Sequence, residues 1–188
     1  MTKKSSGAFP PASVSRAPLL DGDGRDRSFR ATVYDLLTVG ARMEAVRDRL
    51  AAEMGVTGPQ YAILMAVAHA QDEEGGAGVR AVARRLHVSG PFVTAQVNRL
   101  VADKLIEKTP NPADGRGVIL RLTKRGRAAV EKTAPAIRDA NDRFFAPLDR
   151  DDFEALSDIA ARLVDSSEAA VAAFEDVVAD EGTKQVGR

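Results

Sequence analysis

Thr94, Asn98 and Arg99 follow one another at intervals of four and one, which puts all three on one side of the chain if the segment is helical. Side chains of these types hydrogen-bond base edges in a DNA groove, and an arginine reaches either a base or a phosphate. Just ahead of them, Ser89, Gly90 and Pro91 read as a helix start: a serine N-cap, a glycine that permits close approach, and a proline in the first turn. The free N–H groups of such a terminus attract a phosphate. Phe92 and Ala95 complete the exposed face, with Phe92 either touching a thymine methyl or packing inward. Arg80 and Lys108, to either side of this segment, and Asp114 and Arg116 on a glycine-rich turn extend the same set of candidate DNA contacts.

The formal net charge is zero, yet the charges are segregated. From Arg80 to Arg127 eleven lysines and arginines stand against three acids, a local charge of +8; from Ala128 to Glu181 five basic side chains stand against fourteen acidic ones, a charge of −9. A basic module beside an acidic one is the footprint of a chain in which only the first touches phosphate. A solvated arginine-rich face is the plainer alternative.

Enzymatic chemistry finds little material. The two histidines, His69 and His87, fall in separate helical regions, and with no cysteine there is no thiol nucleophile, thiolate zinc site or redox thiol. No glycine-rich phosphate loop follows a strand, and the paired acids Glu73-Glu74 and Asp151-Asp152 read as solvated charge and as a helix cap. Catalytic residues, metal sites and bound cofactors are therefore not expected. Residues 1–28 lack the apolar stretch of a secretory signal, and the longest apolar run, residues 61–68, is too short to span a membrane. The expectation is a soluble, cytoplasmic protein with no membrane partner.

These side chains need a frame, and hydrophobic periodicity outlines one. Residues 1–28, rich in Lys, Ser, Pro, Gly and Asp, read as a flexible N-terminal tail. Phe29, Val33, Leu36, Leu37, Met43, Val46 and Leu50 recur at helical spacing up to a stop at Gly55. Thr57 caps a second helix that runs to about His69, and the acids and glycines of 71–78 read as a loop. Short helices over 80–86 and 89–104 follow, the second burying Val93, Val97, Leu100 and Val101. Residues 105–109 and 118–123 read as strands joined by the turn formers of 110–117. A helix from Lys124 to Phe145, kinked or broken at Pro135, and a last helix capped near Asp149 precede a C-terminal tail over 179–188.

Two short helices followed by a hairpin make a winged helix-turn-helix. The expected fold class is mainly α with a small β-hairpin: a winged helix-turn-helix DNA-binding lobe over 57–123 and a helical dimerisation region over 29–56 and 124–178. In such a lobe helix 89–104 enters a major groove and the hairpin reaches toward a minor groove. A winged helix that serves as a protein–protein interaction module, without specific DNA binding, is the alternative. Phe153, Leu156, Ile159, Leu163, Val164, Val171 and Phe174 form a stripe too wide for one neighbour, and a twofold interface shared with the first helix is the simplest way to cover it.

The stretch NPADGRGVILRLTKRG over 111–126 resembles the wing signature of the MarR (multiple antibiotic resistance regulator) family, an Asp-x-Arg tip followed by Leu-x-Leu-Thr-x-x-Gly. TGPQYAIL over 57–64 is similar to that family's Thr-x-x-Gln-Tyr-x-x-Leu helix, and residues 82–100 to its helix-turn-helix. The resemblance covers about residues 30–175. It implies a homodimeric transcriptional regulator, a repressor on a pseudo-palindromic operator in double-stranded DNA. It further implies that Arg116 enters the minor groove with Asp114 holding it or a basic neighbour in place, a simple turn-stabilising pair being the alternative. Three positions depart from the pattern: Ala95 where many members carry arginine, Phe92 where a small polar residue is common, and Lys104 at the usual glycine.

The family resemblance also implies a small-molecule effector, often an aromatic acid, bound between the dimer region and the DNA lobe. Arg42, Arg47, Tyr61, Met65 and His69 lie on the first two helices, where family pockets form, and are the candidate ligand-binding residues. Each has an ordinary reading beside that one: Met65 in the core, Arg47 at the surface, His69 at a helix end.

Overall fold

Helix α1, Arg27–Met54, stops where Gly55 turns left-handed at φ 72°, a conformation glycine adopts without a Cβ penalty. The structure, a computed structural model, describes residues 10–111 and 114–186, without the side chains of residues 74, 114–116 and 175–186. The first N–H groups of α1 are satisfied from upstream: the Asp21 carboxylate accepts from the backbone N–H of Arg27 at 3.0 Å and of Ser28 at 3.4 Å. Asp26 is 2% exposed and accepts from the backbone N–H and the hydroxyl of Ser13 at 2.7 and 2.6 Å. Those two bonds hold its carboxyl below the usual carboxylate range. Residues 13–26, expected within a flexible tail, therefore fold back onto the start of α1 and include a 3-10 turn at Ala17–Leu19. Ser and Asp, which suggested disorder by composition, act here as local hydrogen-bonding groups.

Helix α2, Gly58–Glu74, opens with a reciprocal capping box. The Thr57 hydroxyl accepts from the Gln60 N–H at 3.5 Å, and the Gln60 side chain accepts from the Thr57 N–H at 3.0 Å. It runs well past the expected end at His69. Leu122 N–H donates to Gln71 Oε1 at 2.7 Å, and the Arg121 guanidinium donates to the Gly75 carbonyl at 2.8 Å. Contacts from a strand far along the chain thus fix the extra turn, which ends at left-handed Gly75.

Beyond it, strand β1, Ala77–Gly78, leads into helix α3, Val79–Arg85, and helix α4, Gly90–Ala102. Strand β2, Ile106–Asn111, and strand β3, Asp114–Leu122, pair antiparallel from Ile106 opposite Leu122 to Pro110 opposite Val118. The other side of β3 takes up β1, with Ala77 opposite Leu120 and Gly78 opposite Ile119. The result is a three-stranded sheet in the order β1-β3-β2, where the sequence reading has only a hairpin and a loop over 71–78. Two residues that follow a pair of glycines carry no periodicity that would reveal β1.

The core lies between these elements. Ile63, Leu64 and Val67 from α2, Val82 from α3, Val93, Val97 and Leu100 from α4, and Leu105, Ile106, Leu120 and Leu122 from the sheet region are buried together. Each such side chain contributes about 1.5–3 kcal/mol on burial. Lys104 links α4 to β2 with φ 59°, a conformation that costs an L-residue roughly 1 kcal/mol. Lys104→Gly is expected to raise stability by about 0.5–1 kcal/mol, read as a higher urea midpoint at unchanged slope. An unchanged or lower midpoint would mean that the lysine side chain compensates its own strain.

The chain divides into two compact units, one up to Ile137 and one from Arg138. Helix α5, Lys124–Phe145, continues through Pro135, so of the kink or break expected there the break is not taken, although the proline leaves one i→i−4 hydrogen bond unmade. In the second unit helix α6, Arg150–Val186, extends into the stretch expected as a tail over 179–188. Asp149 caps it: its carboxylate accepts from the Asp152 N–H at 2.9 Å, and Asp152 accepts from the Asp149 N–H at 3.4 Å. Phe145 and Phe153 meet edge to face at 6.3 Å between ring centroids. Among the described residues no helix is long and apolar enough to cross a membrane.

Candidate nucleic-acid interface

Helix α4 is held by one face and free on the other. Val93, Val97 and Leu100 are fully buried, and Val101 packs partly against the same core. Phe92, Thr94, Ala95, Asn98 and Arg99 are exposed, and Gly90 is half-buried. Phe92 is 39% exposed, so of its two readings the outward one matches its position in this chain. The Ser89 hydroxyl accepts from the Phe92 N–H at 3.3 Å, closing an N-cap with Pro91 inside the first turn. A Cβ placed on Gly90 would meet nothing within 4 Å, so the approach to this terminus is open.

Two polar residues on α4 have their hydrogen bonds already directed. The Thr94 hydroxyl donates to the Gly90 carbonyl at 3.0 Å. The Asn98 Oδ1 accepts from the Lys108 ammonium on β2 at 2.7 Å. Arg99 enters no ion pair among the described residues. The sequence reading placed Lys108 and Asn98 in one set without joining them; the signal was the return of β2 alongside α4, which only tertiary structure supplies.

Arg80 lies on α3 and borders an open cleft of about 610 Å³ together with Val79, Arg84, Asn111 and Val118. Arg84 was not singled out from the sequence, although its spacing of four from Arg80 puts both on one helix face. Other members of the basic segment serve structure: Arg121 holds Gly75, and Arg85 pairs with Glu73 at 3.5 Å. Asp114 and Arg116 belong to the outer end of β3; their side chains lie outside the described residues, and the expected Asp114–Arg116 contact falls there with them.

The candidate ligand residues are scattered in character. Arg42 and His69 are exposed, while Arg47, Tyr61 and Met65 are half-buried. Arg47 faces Glu44 at 3.6 Å and Asp48 at 3.9 Å, and its buried Nε has no hydrogen-bond partner. Burial pushes the Tyr61 hydroxyl above its ordinary value. None of the five borders the 610 Å³ cleft or a second cleft of about 400 Å³ between α2 and α3. Among the described residues no cluster of three or more His, Cys, Asp or Glu could hold a metal ion.

Comparison with known proteins places this geometry. A family model described as MarR family matches residues 54–117. The PcaV transcriptional regulator from Streptomyces coelicolor, solved in complex with its natural ligand, is 30% identical, covering 68% of this chain and 90% of that one with a TM-score of 0.54. The MepR–DNA complex from S. aureus shares the fold at 20% identity and a TM-score of 0.62, over 71% of this chain and 94% of that one. A mutant MarR from E. coli, complexed with operator DNA, shares it at 20% identity and a TM-score of 0.60, over 72% of this chain and 95% of that one. Among curated proteins, none matches the sequence.

Proposed function

This chain belongs to the MarR family, and on that premise we propose that it is a sequence-specific regulator of transcription that represses by binding a pseudo-palindromic operator as a homodimer. The observation that carries the reading is α4. Its capped start, its buried apolar face and its outward Thr94, Asn98 and Arg99 stand within a segment of charge +8, the form of a recognition helix seated in a major groove. Arg80 and Arg84 supply phosphate contacts beside it, and Arg116 on the wing reaches the minor groove. A DNA partner supports a cytoplasmic location, and no catalytic step is part of this reading.

Homodimerisation is supported by apolar side chains left uncovered within each unit. On α1, Tyr34 is 68% and Leu37 65% exposed; on α6, Phe153, Ile159, Leu163, Val171 and Phe174 are exposed. The proposed organisation keeps residues 57–123 as the DNA-binding lobe and assigns 29–56 and 124–178 to a twofold interface. A small-molecule effector, an aromatic acid, is proposed to release DNA, a reading supported by the ligand complex of the 30% identical PcaV. Arg42, Arg47, Tyr61, Met65 and His69 remain its proposed contacts.

The test is fluorescence anisotropy of labelled duplex from immediately upstream of the protein's own coding region, against a scrambled duplex, across a salt series. The upstream fragment is expected to bind tightly and to weaken steeply as salt rises, in proportion to the phosphates neutralised. Absence of binding to either duplex at low salt would remove the DNA reading and leave a protein-interaction winged helix. Aromatic acids are then titrated into the complex, where linkage requires that an effector lowering DNA affinity bind free protein more tightly.

A further inference from the structure

Asn98 and Lys108 form a pair whose polarity is fixed by chemistry. The Lys108 ammonium lies 2.7 Å from Asn98 Oδ1 and has only donors to offer, so the amide must turn its carbonyl toward the lysine. What remains outward is the amide N–H₂ and the rest of the ammonium hydrogens. One turn earlier the opposite holds. The single hydroxyl hydrogen of Thr94 is given to the Gly90 carbonyl at 3.0 Å, which leaves its oxygen as an acceptor. Both side chains stand on a helix fixed by buried Val93, Val97 and Leu100, and Lys108 stands on a strand held in register opposite Leu120.

We propose that these hydrogen bonds give α4 a directional reading code: Thr94 presents an acceptor to a base amino group, and the Asn98–Lys108 pair, with one Oδ1 lone pair taken, presents chiefly donors to the acceptor-rich edge of a guanine. The inference rests on the reading that α4 sits in a major groove. An unrestrained asparagine pairs with adenine by accepting from N6 and donating to N7. With Oδ1 engaged by Lys108, only one of its lone pairs is left, and that bidentate mode is weakened. Guanine O6 and N7 both accept, and so match the amide and ammonium donors together. Lys108 thus orients Asn98 and also supplies one of the donors that meet the base.

The experiment selects the full-length protein on duplexes randomised across the operator, using the wild type, Asn98→Ala, Lys108→Met and Lys108→Arg. Asn98→Ala marks the base position in each half-site at which Asn98 acts. The wild type is expected to prefer guanine there by about tenfold. Lys108→Met frees the carbonyl and is expected to move that position to adenine while the other positions keep their preference; Lys108→Arg, still a donor, keeps guanine. A wild-type preference for a base other than guanine at that position would overturn the proposal. So would a Lys108→Met protein that loses affinity for all sequences alike with its base preference unchanged, the behaviour of a plain phosphate contact. If the wild type enriches no sequence at all, the DNA-binding reading fails and the code fails with it.

Discussion

Arg116→Ala is expected to weaken operator binding by about ten- to a hundredfold, or roughly 1–3 kcal/mol, while leaving the urea midpoint unchanged. The residue lies toward the outer end of β3 between Gly115 and Gly117, four and six residues before the buried Leu120 and Leu122 that anchor the strand. Its contribution is therefore to binding, with little to the core. A narrow A·T-rich minor groove concentrates negative potential and favours a guanidinium, which sheds its hydration more readily than an ammonium. Arg116→Lys then separates two modes. A phosphate contact is largely retained by lysine, whereas a minor-groove contact is largely lost. Anisotropy across a salt series reads both, and an Arg116→Ala protein with wild-type affinity would sink the assignment of the wing.

Gly126→Ala is expected to destabilise the first unit by about 3 kcal/mol, seen as a lower urea midpoint. A Cβ at this position would collide with the Leu105 carbonyl oxygen and stand 3.0 Å from its carbonyl carbon. The collision is with backbone that has nowhere to go. Leu105 is 4% exposed, its N–H donates to the Leu100 carbonyl at 2.8 Å, and its carbonyl accepts from the Thr123 N–H at 3.1 Å. Thr123 tightens the same junction: its hydroxyl donates to the Lys104 carbonyl at 2.6 Å and accepts from the Gly126 N–H at 3.0 Å. The glycine thus lets α5 begin directly against the start of β2. An unchanged midpoint would show that this junction can open by the width of a methyl group at no cost.

The parts of the fold legible in the sequence are those fixed within a few residues of themselves. The caps at Thr57, Ser89 and Asp149, the stop at Gly55 and the buried face of α4 depend on side chains three or four positions away, and each was readable from spacing. The missed features depend on partners far along the chain. The last turn of α2 is held through Gln71 by Leu122, β1 exists because β3 passes beside it, and Asn98 meets Lys108 because β2 turns back along α4. Residues 13–26 escaped for a different reason. Their composition matches that of a disordered segment, and order comes from one buried carboxylate, Asp26, that collects the Ser13 donors. In the candidate site, the exposed set on α4 followed from the period of its apolar residues, but the direction of its hydrogen bonds did not.

The order of the three-stranded sheet also bears on how this protein behaves when crowded. An open strand edge is a template for another chain, and sheets with long, flat, apolar edges aggregate. Here one edge is β1, only two residues long, too short to template a ribbon. The other is β2, which carries Glu107, Lys108 and Pro110; charge and a missing N–H both discourage an incoming strand. The wing can therefore stand in solvent before it meets a partner without recruiting a neighbour's backbone.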